Sequence, residues 1–286
     1  MRKIRIIQLS TLIVASALIA VMLLSVPAYA ITNGEPDAGR HPYVGLVVFD
    51  VLVDGVPTPM WRCTGSLLSP TVVLVAAHCT EGAVAARVWF EEGPIPRYPY
   101  GEYPYGGVTS YEGIPYTNPD YANYIKGNSK GVPAFSYRDV GIVVLTESVP
   151  TDVVSEYAEL PTAGLVDTLP VMTDVDLVGY GVQYQIEPRR TGPRNAWTGL
   201  RERFYAPAKL LSGNFAWSDE FIRCTANLGL GGGVAFGDSG GPVLLAGTRT
   251  ILAVNSYVTN VNCAGETYHS RIDIPEVLEW IMSFLD

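Results

Sequence analysis

Short apolar runs broken by turn-forming residues are the feature that most restricts what this chain can fold into. Segments such as 44–49, 71–75 and 251–254 are rich in Val, Ile and Leu, and 29 Gly and 21 Pro are spread among the 286 residues. Branched side chains favour strands, and Gly and Pro favour the turns between strands. We therefore predict an all-β protein with a sizeable core, built from barrels or sandwiches.

The C-terminal stretch 273–286 is the exception, because its apolar residues recur at helical spacing. Pro275 is compatible with a first helical turn, and Asp273 is the expected N-cap. We predict an amphipathic helix here, with an apolar face formed by Val277, Leu278, Trp280, Ile281 and Leu285.

Residues 1–30 have the three parts of a secretory signal peptide. Three basic residues stand near the start, 12–24 is apolar, and 28–30 reads Ala-Tyr-Ala, a small-x-small cleavage site. The alternative is an uncleaved membrane anchor, since 6–26 is nearly long enough to span a bilayer. Cleavage after Ala30 predicts a secreted protein without stable membrane association.

The charge balance is acidic. The chain has 19 basic and 28 acidic residues, a net charge of −9, and removal of the three leader cations makes it −12. Nucleic-acid binding requires a positive surface, so this balance argues against it and suits a soluble extracellular protein. The sequence also contains no oxygen-rich cage that predicts a Ca²⁺ site.

Residues 237–242, Gly-Asp-Ser-Gly-Gly-Pro, place one serine among glycines between two apolar runs. Glycines allow a sharp turn and bring backbone N–H groups close to a substrate carbonyl, which is what an acyl-transfer nucleophile requires. The alternative is a glycine-rich turn that merely contains a serine. A serine hydroxyl is a weak nucleophile without a base and an orienting acid, so the presence of partners decides between the two.

Candidates for both partners stand at the ends of apolar strands. The chain has 3 histidines, and His78 follows the run 72–75, next to Cys79. Asp139 precedes the run 140–145, where an unpaired carboxylate is costly to bury. The alternative for His78 is a hydrogen-bonded histidine of the core.

These segments resemble the signature blocks of the chymotrypsin- and trypsin-like serine endopeptidases. The blocks are Ala-Ala-His-Cys at 76–79, Asp-Val-Gly-Ile-Val at 139–143 and Gly-Asp-Ser-Gly-Gly-Pro at 237–242, in that family's order. The resemblance extends from about residue 31 to the C-terminus. An α/β-hydrolase also uses Gly-x-Ser-x-Gly, but its acid and histidine follow the serine and a helix follows the turn, whereas strand-like sequence follows here.

The resemblance implies two six-stranded antiparallel Greek-key barrels in one peptidase domain. The first barrel, over 31–150, would hold the histidine and the aspartate. The second, over 151–286, would hold the serine and a C-terminal helix packed on that barrel. The resemblance also implies that the protein hydrolyses protein or peptide substrates without a cofactor or metal, and we expect a monomer.

The implied catalytic residues are Ser239, His78 and Asp139. Ser239 would attack the substrate carbonyl, His78 would transfer the proton, and Asp139 would hold the imidazole in the correct tautomer. The backbone N–H groups of Gly237 and Ser239 would form the oxyanion hole. The resemblance further implies that Ser256 supports the buried aspartate.

The N-terminus after cleavage resembles the family's mature N-terminus. Residues 31–34 read Ile-Thr-Asn-Gly, where the family usually has Ile-Val-Gly-Gly. The resemblance implies that the new ammonium of Ile31 folds inward and pairs with Asp238. We infer that signal peptidase itself would then activate the protein.

Secretion makes disulfides available, and four cysteines allow three pairings. The resemblance implies a bond between Cys63 and Cys79, which would staple the loop that carries His78. It leaves Cys224 and Cys263 as a second pair.

The resemblance places Gly233 at the base of a specificity pocket and Val258 on its wall. Gly233 in place of an aspartate argues against a preference for Arg or Lys, and Val258 narrows the pocket. Together they predict cleavage after small or medium apolar residues. The alternative is that Glu266, whose register is open, reaches the pocket and restores a basic preference.

Two alternative functions, and the role of one tyrosine-rich segment, are left open by the sequence. An inactive relative could act as a binding module, and a secreted esterase could use the same acyl-enzyme chemistry. Nine of the 17 tyrosines lie in 91–137. This stretch is interpreted either as a decorated surface loop or as a border of the substrate cleft, where tyrosine offers contact area at low entropy cost.

Overall fold

The structure is a computed structural model that describes residues 31, 34–95, 110–123, 136–186, 196–198, 201–212, 220–226, 233–259, 263 and 265–285. The predicted signal peptide and most of the tyrosine-rich stretch lie outside the described residues. Within the described ranges, no helix is long and apolar enough to cross a membrane.

The first half of the chain forms a closed barrel. The strands in this half of the chain are β1 Glu35–Pro36, β2 Val44–Val53, β3 Val56–Ser69, β4 Val72–Val75, β5 Ala85–Trp89, β6 Tyr111–Thr117, β7 Ala122–Asn123, β8 Ser136–Tyr137 and β9 Gly141–Leu145. The barrel order is β2-β3-β4-β9-β6-β5, and every pair within it is antiparallel. Strands β7 and β8 form a separate two-stranded ribbon.

The second half forms another closed barrel. Its strands are β10 Asp174–Gly179, β11 Tyr184–Ile186, β12 Ala196–Thr198, β13 Phe204–Ser212, β14 Phe221–Ala226, β15 Pro242–Leu245, β16 Ile251–Val258 and β17 Gly265–Arg271. The order is β13-β10-β15-β16-β17-β14, closed by pairing of β14 with β13, while β11 and β12 form a ribbon. The predicted pair of six-stranded antiparallel barrels is confirmed.

Each barrel encloses its own apolar core. Leu46, Leu67, Leu74 and Ile142 are fully buried in the first, and the second is built from similar side chains such as Leu177. All four residues of β4 are buried, because this strand is covered on both faces. Removal of these apolar groups from water is the main favourable contribution to the fold.

The N-terminal segment packs on the second barrel although it precedes the first in sequence. β1 pairs with β13, Glu35 opposite Tyr205. Ile31 is fully buried in the core that contains Val175 and Leu177. The start of the predicted mature chain is therefore an integral part of the barrel that carries the serine.

Three short helices are described, α1 Ala77–Thr80, α2 Leu165–Thr168 and α3 Pro275–Met282. The predicted C-terminal helix is confirmed as α3, but Ile274 is its N-cap and no side chain caps it. The prediction that Asp273 is the cap is wrong. This carboxylate accepts the Val166 N–H at 2.8 Å and pairs with Arg271 at 2.9 Å, so groups remote from the helix engage it.

Helix α3 packs in a core cluster that contains residues of both barrels, such as Leu74 of the first and Val254 of the second. Val277 and Ile281 of the helix belong to this cluster. The Phe284 ring contacts the Tyr116 ring of β6 at 5.2 Å between centroids. The chain end thus closes back over the barrel that carries His78.

A buried charged network joins the two barrels. The Asp37 carboxylate accepts from Arg203 Nε at 2.8 Å and lies 2.5 Å from His41 Nδ1. Arg203 also donates to the carbonyls of Val44 and Phe90, both at 3.0 Å. Burial opposes ionisation of Asp37, but the His41 hydrogen bond and the Arg203 charge outweigh it and keep the pKa of Asp37 below its ordinary value.

Arg203→Met is expected to lower the free energy of unfolding by about 3–5 kcal/mol, because it removes the charged partner of a buried carboxylate and a donor to two buried carbonyls. Urea unfolding measures the loss. Arg249→Met is the matched control, since Arg249 pairs with Glu156 and Glu159 but is 40% exposed. Its loss is expected to be below about 1 kcal/mol. Equal losses in the two variants would contradict the assignment of the Arg203 network as the stronger link.

Candidate active site

Pairing of two neighbouring strands brings His78 and Asp139 together. His78 lies in α1, directly after β4, and Asp139 lies two residues before β9. β4 and β9 are antiparallel neighbours, with Val75 opposite Gly141. The end of β4 and the start of β9 therefore meet at one edge of the first barrel, and the residues flanking them face each other.

Asp139 is fully buried and accepts three hydrogen bonds. Its Oδ1 accepts the His78 backbone N–H at 2.8 Å, and its Oδ2 lies 2.8 Å from His78 Nδ1. Ser256 Oγ, from β16 of the other barrel, donates to Oδ2 at 2.5 Å. A carboxylate can only accept, so Nδ1 carries the proton and Nε2 is left as the basic nitrogen.

Asp139 and His78 also shift each other's pKa. Burial raises the pKa of the Asp139 carboxyl, but the charge and hydrogen bonds of His78, with the bond from Ser256, outweigh it and hold that pKa below its ordinary value. Burial lowers the pKa of His78, but the Asp139 charge and hydrogen bond raise it above the ordinary imidazole value. The Asp139 carboxylate therefore favours the protonated form of the imidazole.

Ser239 lies in a turn that docks on the first barrel. Its carbonyl accepts the Thr64 N–H at 2.8 Å. Gly240 has φ +80°, and a Cβ there would lie 2.6 Å from both the Ala76 N and the Thr64 O. Only glycine fits this close approach. The turn thereby contacts Ala76, which precedes His78 by two residues.

The hydroxyl of Ser239 makes no hydrogen bond to the described residues, His78 included. In ligand-free enzymes such catalytic contacts are often long and shorten when substrate binds. The backbone N–H groups of Gly237 and Ser239 also have no acceptor within the described part of the chain. Both are free to donate to an oxygen of a ligand.

Asp238 is fully buried, and its carboxylate accepts two backbone N–H groups, Gly181 at 2.7 Å and Ala235 at 2.8 Å. A Cβ on Gly181 would lie 2.5 Å from the Asp238 carboxyl, so glycine is needed for this approach. Burial raises the pKa of Asp238 to about 7. No hydrogen bond or ion pair joins it to Ile31 among the described contacts, so the implied activation pair stays a prediction for a chain that begins at Ile31.

A mainly apolar cavity of about 180 Å³ opens beside the serine, lined by Val234, Ala235, Phe236, Ser239, Asn255, Ser256, Tyr257 and Val258. Gly233 is buried and does not line it. Glu266 does not line it either, because its carboxylate lies 3.2 Å from Arg223 Nη1 and accepts from Tyr268. The alternative that Glu266 reaches the pocket is therefore wrong in this structure.

Cys63 and Cys79 form the implied disulfide, which ties β3 to the helix that carries His78. The second implied bond is absent, since Cys224 and Cys263 are both buried free thiols. Cys224 lies in β14 opposite Thr267 of β17, whereas Cys263 precedes that strand. Its thiol accepts from the backbone of Phe236, so the two sulfurs occupy different surroundings.

The sequence interpretation missed Asn255, which lines the cavity and reaches the serine turn. Its side chain donates to the Asp238 carbonyl at 3.1 Å. Its own N–H donates to Gly241 O, and its carbonyl accepts from Gly240 N, both at 2.8 Å. A polar residue next to Ser256 in an otherwise apolar strand was the available signal.

Comparisons with known proteins identify the relatives of this chain. A family model named Trypsin matches residues 33–281. Serine protease 1 and Serine protease 2 of Drosophila melanogaster are each 24% identical to this chain over 263 residues, which is 88% of this chain and 84% of the relative.

Solved structures share the fold. HL collagenase superposes over 90% of this chain and 97% of its own, with a TM-score of 0.59 and 18% identity. The structure of GrC superposes over 88% of this chain and 97% of its own, with a TM-score of 0.61 and 16% identity.

Proposed function

Because the chain belongs to the trypsin family of serine proteases, we propose that it is a secreted endopeptidase that works through Ser239, His78 and Asp139. The observation that carries this proposal is the Asp139 carboxylate, buried and bonded to His78 Nδ1, to the His78 N–H and to Ser256. This arrangement orients the free imidazole nitrogen and stabilises its protonated form.

In the proposed reaction, Ser239 Oγ attacks the carbonyl carbon of the scissile peptide bond, and His78 Nε2 takes the hydroxyl proton. The N–H groups of Gly237 and Ser239 donate to the oxyanion of the tetrahedral intermediate. His78 then gives the proton to the leaving amine as the C–N bond breaks, which leaves an acyl-enzyme. Water, deprotonated by the same imidazole, hydrolyses the ester and restores the serine.

Secretion is supported by the disulfide Cys63–Cys79, because such bonds persist in oxidising compartments. The leader sequence of residues 1–30 agrees with it. The proposed order of events is export, cleavage after Ala30 and insertion of the Ile31 ammonium beside Asp238.

The test is to label the secreted protein with a fluorophosphonate and to map both the adduct and the N-terminus by mass spectrometry. An adduct on Ser239 in a chain that starts at Ile31 is expected. A folded protein that starts at Ile31 and takes no label would contradict the proposed hydrolase and favour a binding module. Comparison of peptide with ester turnover separates a peptidase from an esterase.

Val258→Gly is expected to widen the preference before the scissile bond from small or medium apolar residues towards Phe and Leu. The cavity wall loses one isopropyl group, and changes of this size alter discrimination about 10-fold or more. The readout is the ratio of kcat/KM for Phe and Val peptides. Val258→Thr, which preserves the volume, is the control and should keep the original ratio. An unchanged ratio in Val258→Gly would contradict the proposal that Val258 limits the size of the residue bound in the pocket.

A further inference from the structure

Three buried polar side chains behind the serine turn have no part in the mechanism above. Asn255, Thr267 and His269 are each 1% exposed or less. Asn255 of β16 stands opposite His269 of β17, and Thr267 precedes His269 by two residues on the same strand face. Buried polar groups are costly unless they bond one another.

These side chains form a continuous hydrogen-bonded series that ends at the serine turn. Thr267 Oγ1 lies 2.8 Å from His269 Nε2, and His269 Nδ1 lies 2.9 Å from Asn255 Oδ1. Asn255 Nδ2 lies 3.1 Å from the Asp238 carbonyl oxygen. The series crosses from one strand to the next and contacts the residue before the nucleophile.

The Asp238 carbonyl sets the direction of every bond in the series. A carbonyl can only accept, so the Asn255 amide must turn its NH₂ towards it and its Oδ1 towards His269. That Oδ1 can only accept as well, so His269 must carry its proton on Nδ1. The bare Nε2 then accepts the Thr267 hydroxyl.

The hydrogen-bonded series orients the peptide group between Asp238 and Ser239. Its carbonyl is held by Asn255 Nδ2 and by the Gly241 N–H at 2.9 Å. A trans peptide is planar, with C=O and N–H pointing in opposite directions. Fixing this carbonyl therefore fixes the direction of the Ser239 N–H, one of the two oxyanion donors in the proposed function.

We propose that His269 is a positioning residue that acts through Asn255 to orient the Ser239 N–H towards the oxyanion. The inference rests on the proposed function, since it assigns a role within that reaction. Burial lowers the pKa of His269 to about 3, so the ring is neutral over the working range and the direction of the series is kept.

The kinetic test compares His269→Phe, which removes the Nδ1 donor and keeps an aromatic ring, with His269→Asn, whose amide places an N–H at the same position. His269→Phe is expected to lower kcat by about 10–100-fold with KM within about twofold, because a misdirected oxyanion donor costs no more than a lost one. His269→Asn is expected to stay within about fivefold of the wild-type kcat.

Ser270→Ala is the matched control on the same strand. Ser270 is 1% exposed, and its hydroxyl has no partner in the described part of the chain. Its kcat should equal that of the wild type. A folded His269→Phe with an unchanged kcat, or with only a raised KM, would overturn the proposal. If His269→Phe does not fold, Asn255→Leu, which removes the donor to Asp238 at similar volume, is expected to lower kcat to the same extent.

Nitrogen NMR of ¹⁵N-histidine-labelled protein provides a readout that does not depend on activity. His269 is expected to carry its proton on Nδ1, with Nε2 bare, from pH 5 to pH 8. The opposite tautomer would overturn the series. An inactive wild type with the Nδ1–H tautomer would instead refute the proposed function, and the positioning role of His269 with it, so the two failures are distinguishable.

Discussion

Ser239→Ala is expected to lower kcat for peptide hydrolysis by about 10⁵- to 10⁶-fold while leaving the fold unchanged. The substitution removes the only atom proposed to form the acyl-enzyme, and loss of such a nucleophile costs about this much in a comparable triad. The hydroxyl makes no hydrogen bond to the described residues, so its removal is expected to change the free energy of unfolding by no more than about 0.5 kcal/mol.

A second variant tests whether the residues act as one unit. Asp139→Asn keeps the shape of the side chain but lets His78 adopt the wrong tautomer, and it is expected to lower kcat by about 10⁴-fold. In the double variant the two losses of kcat should not add, because His78 has no serine hydroxyl to deprotonate once the nucleophile is removed. Single-turnover rates and urea midpoints measure both effects. Additive losses, or near-normal activity in Ser239→Ala, would refute the assigned triad.

A chain that begins at Ile31 is expected to hydrolyse peptides at least about 100 times faster than one that retains residues 1–30. The Asp238 carboxylate is fully buried, and its described bonds are to backbone N–H groups only. In the longer chain the Ile31 nitrogen is an uncharged amide, so it cannot neutralise that carboxylate. An unpaired buried charge costs several kcal/mol, and the turn that carries it also carries the oxyanion donors.

The same carboxylate makes the stability of the longer chain depend on pH. The pKa of Asp238 is raised to about 7 in the fold, whereas its ordinary value is 3.8. The unfolded chain releases this proton first, so stability is complete below about pH 4 and is lost as the pH rises through 7. The loss is about 4 kcal/mol. Urea unfolding from pH 4 to pH 8 measures it.

Asp238→Asn is the matched control for both statements. It removes the charge and keeps the shape, so it should flatten the pH dependence of the longer chain relative to the unsubstituted one. It should also abolish the activity difference between the chain starting at Ile31 and the longer chain. Equal activity of the two unsubstituted chains would contradict the activation pair.

The candidate catalytic residues could be identified in the sequence because their signals are local. His78, Asp139 and the serine turn each follow or precede an apolar run, and runs of branched residues favour strands. The pairing of β4 with β9 then brought His78 and Asp139 to one barrel edge. A buried aspartate at a strand end already implied that a partner must be near it.

Two predictions failed and one alternative was excluded where the answer depended on tertiary contacts. Asp273 has the sequence context of an N-cap, but the Val166 N–H and Arg271 compete for its carboxylate. Cys224 and Cys263 were expected to form a disulfide because they were the two cysteines left over, yet both are buried free thiols in different surroundings. Glu266 was ambiguous in register, and the pairing of β17 with β14 directs it to Arg223.

The amino-acid sequence by itself determined the strand-rich fold class, because apolar periodicity and turn residues act over a few positions. Its motif blocks also indicated Ser239, His78 and Asp139 as the candidate catalytic residues. Only the tertiary structure decided how the serine turn is held. Asn255 and His269 reach the Asp238 carbonyl through strand register, and Gly240 docks on Ala76 of the other barrel. Hydrogen bonds between groups far apart in sequence depend on a register that no local pattern encodes.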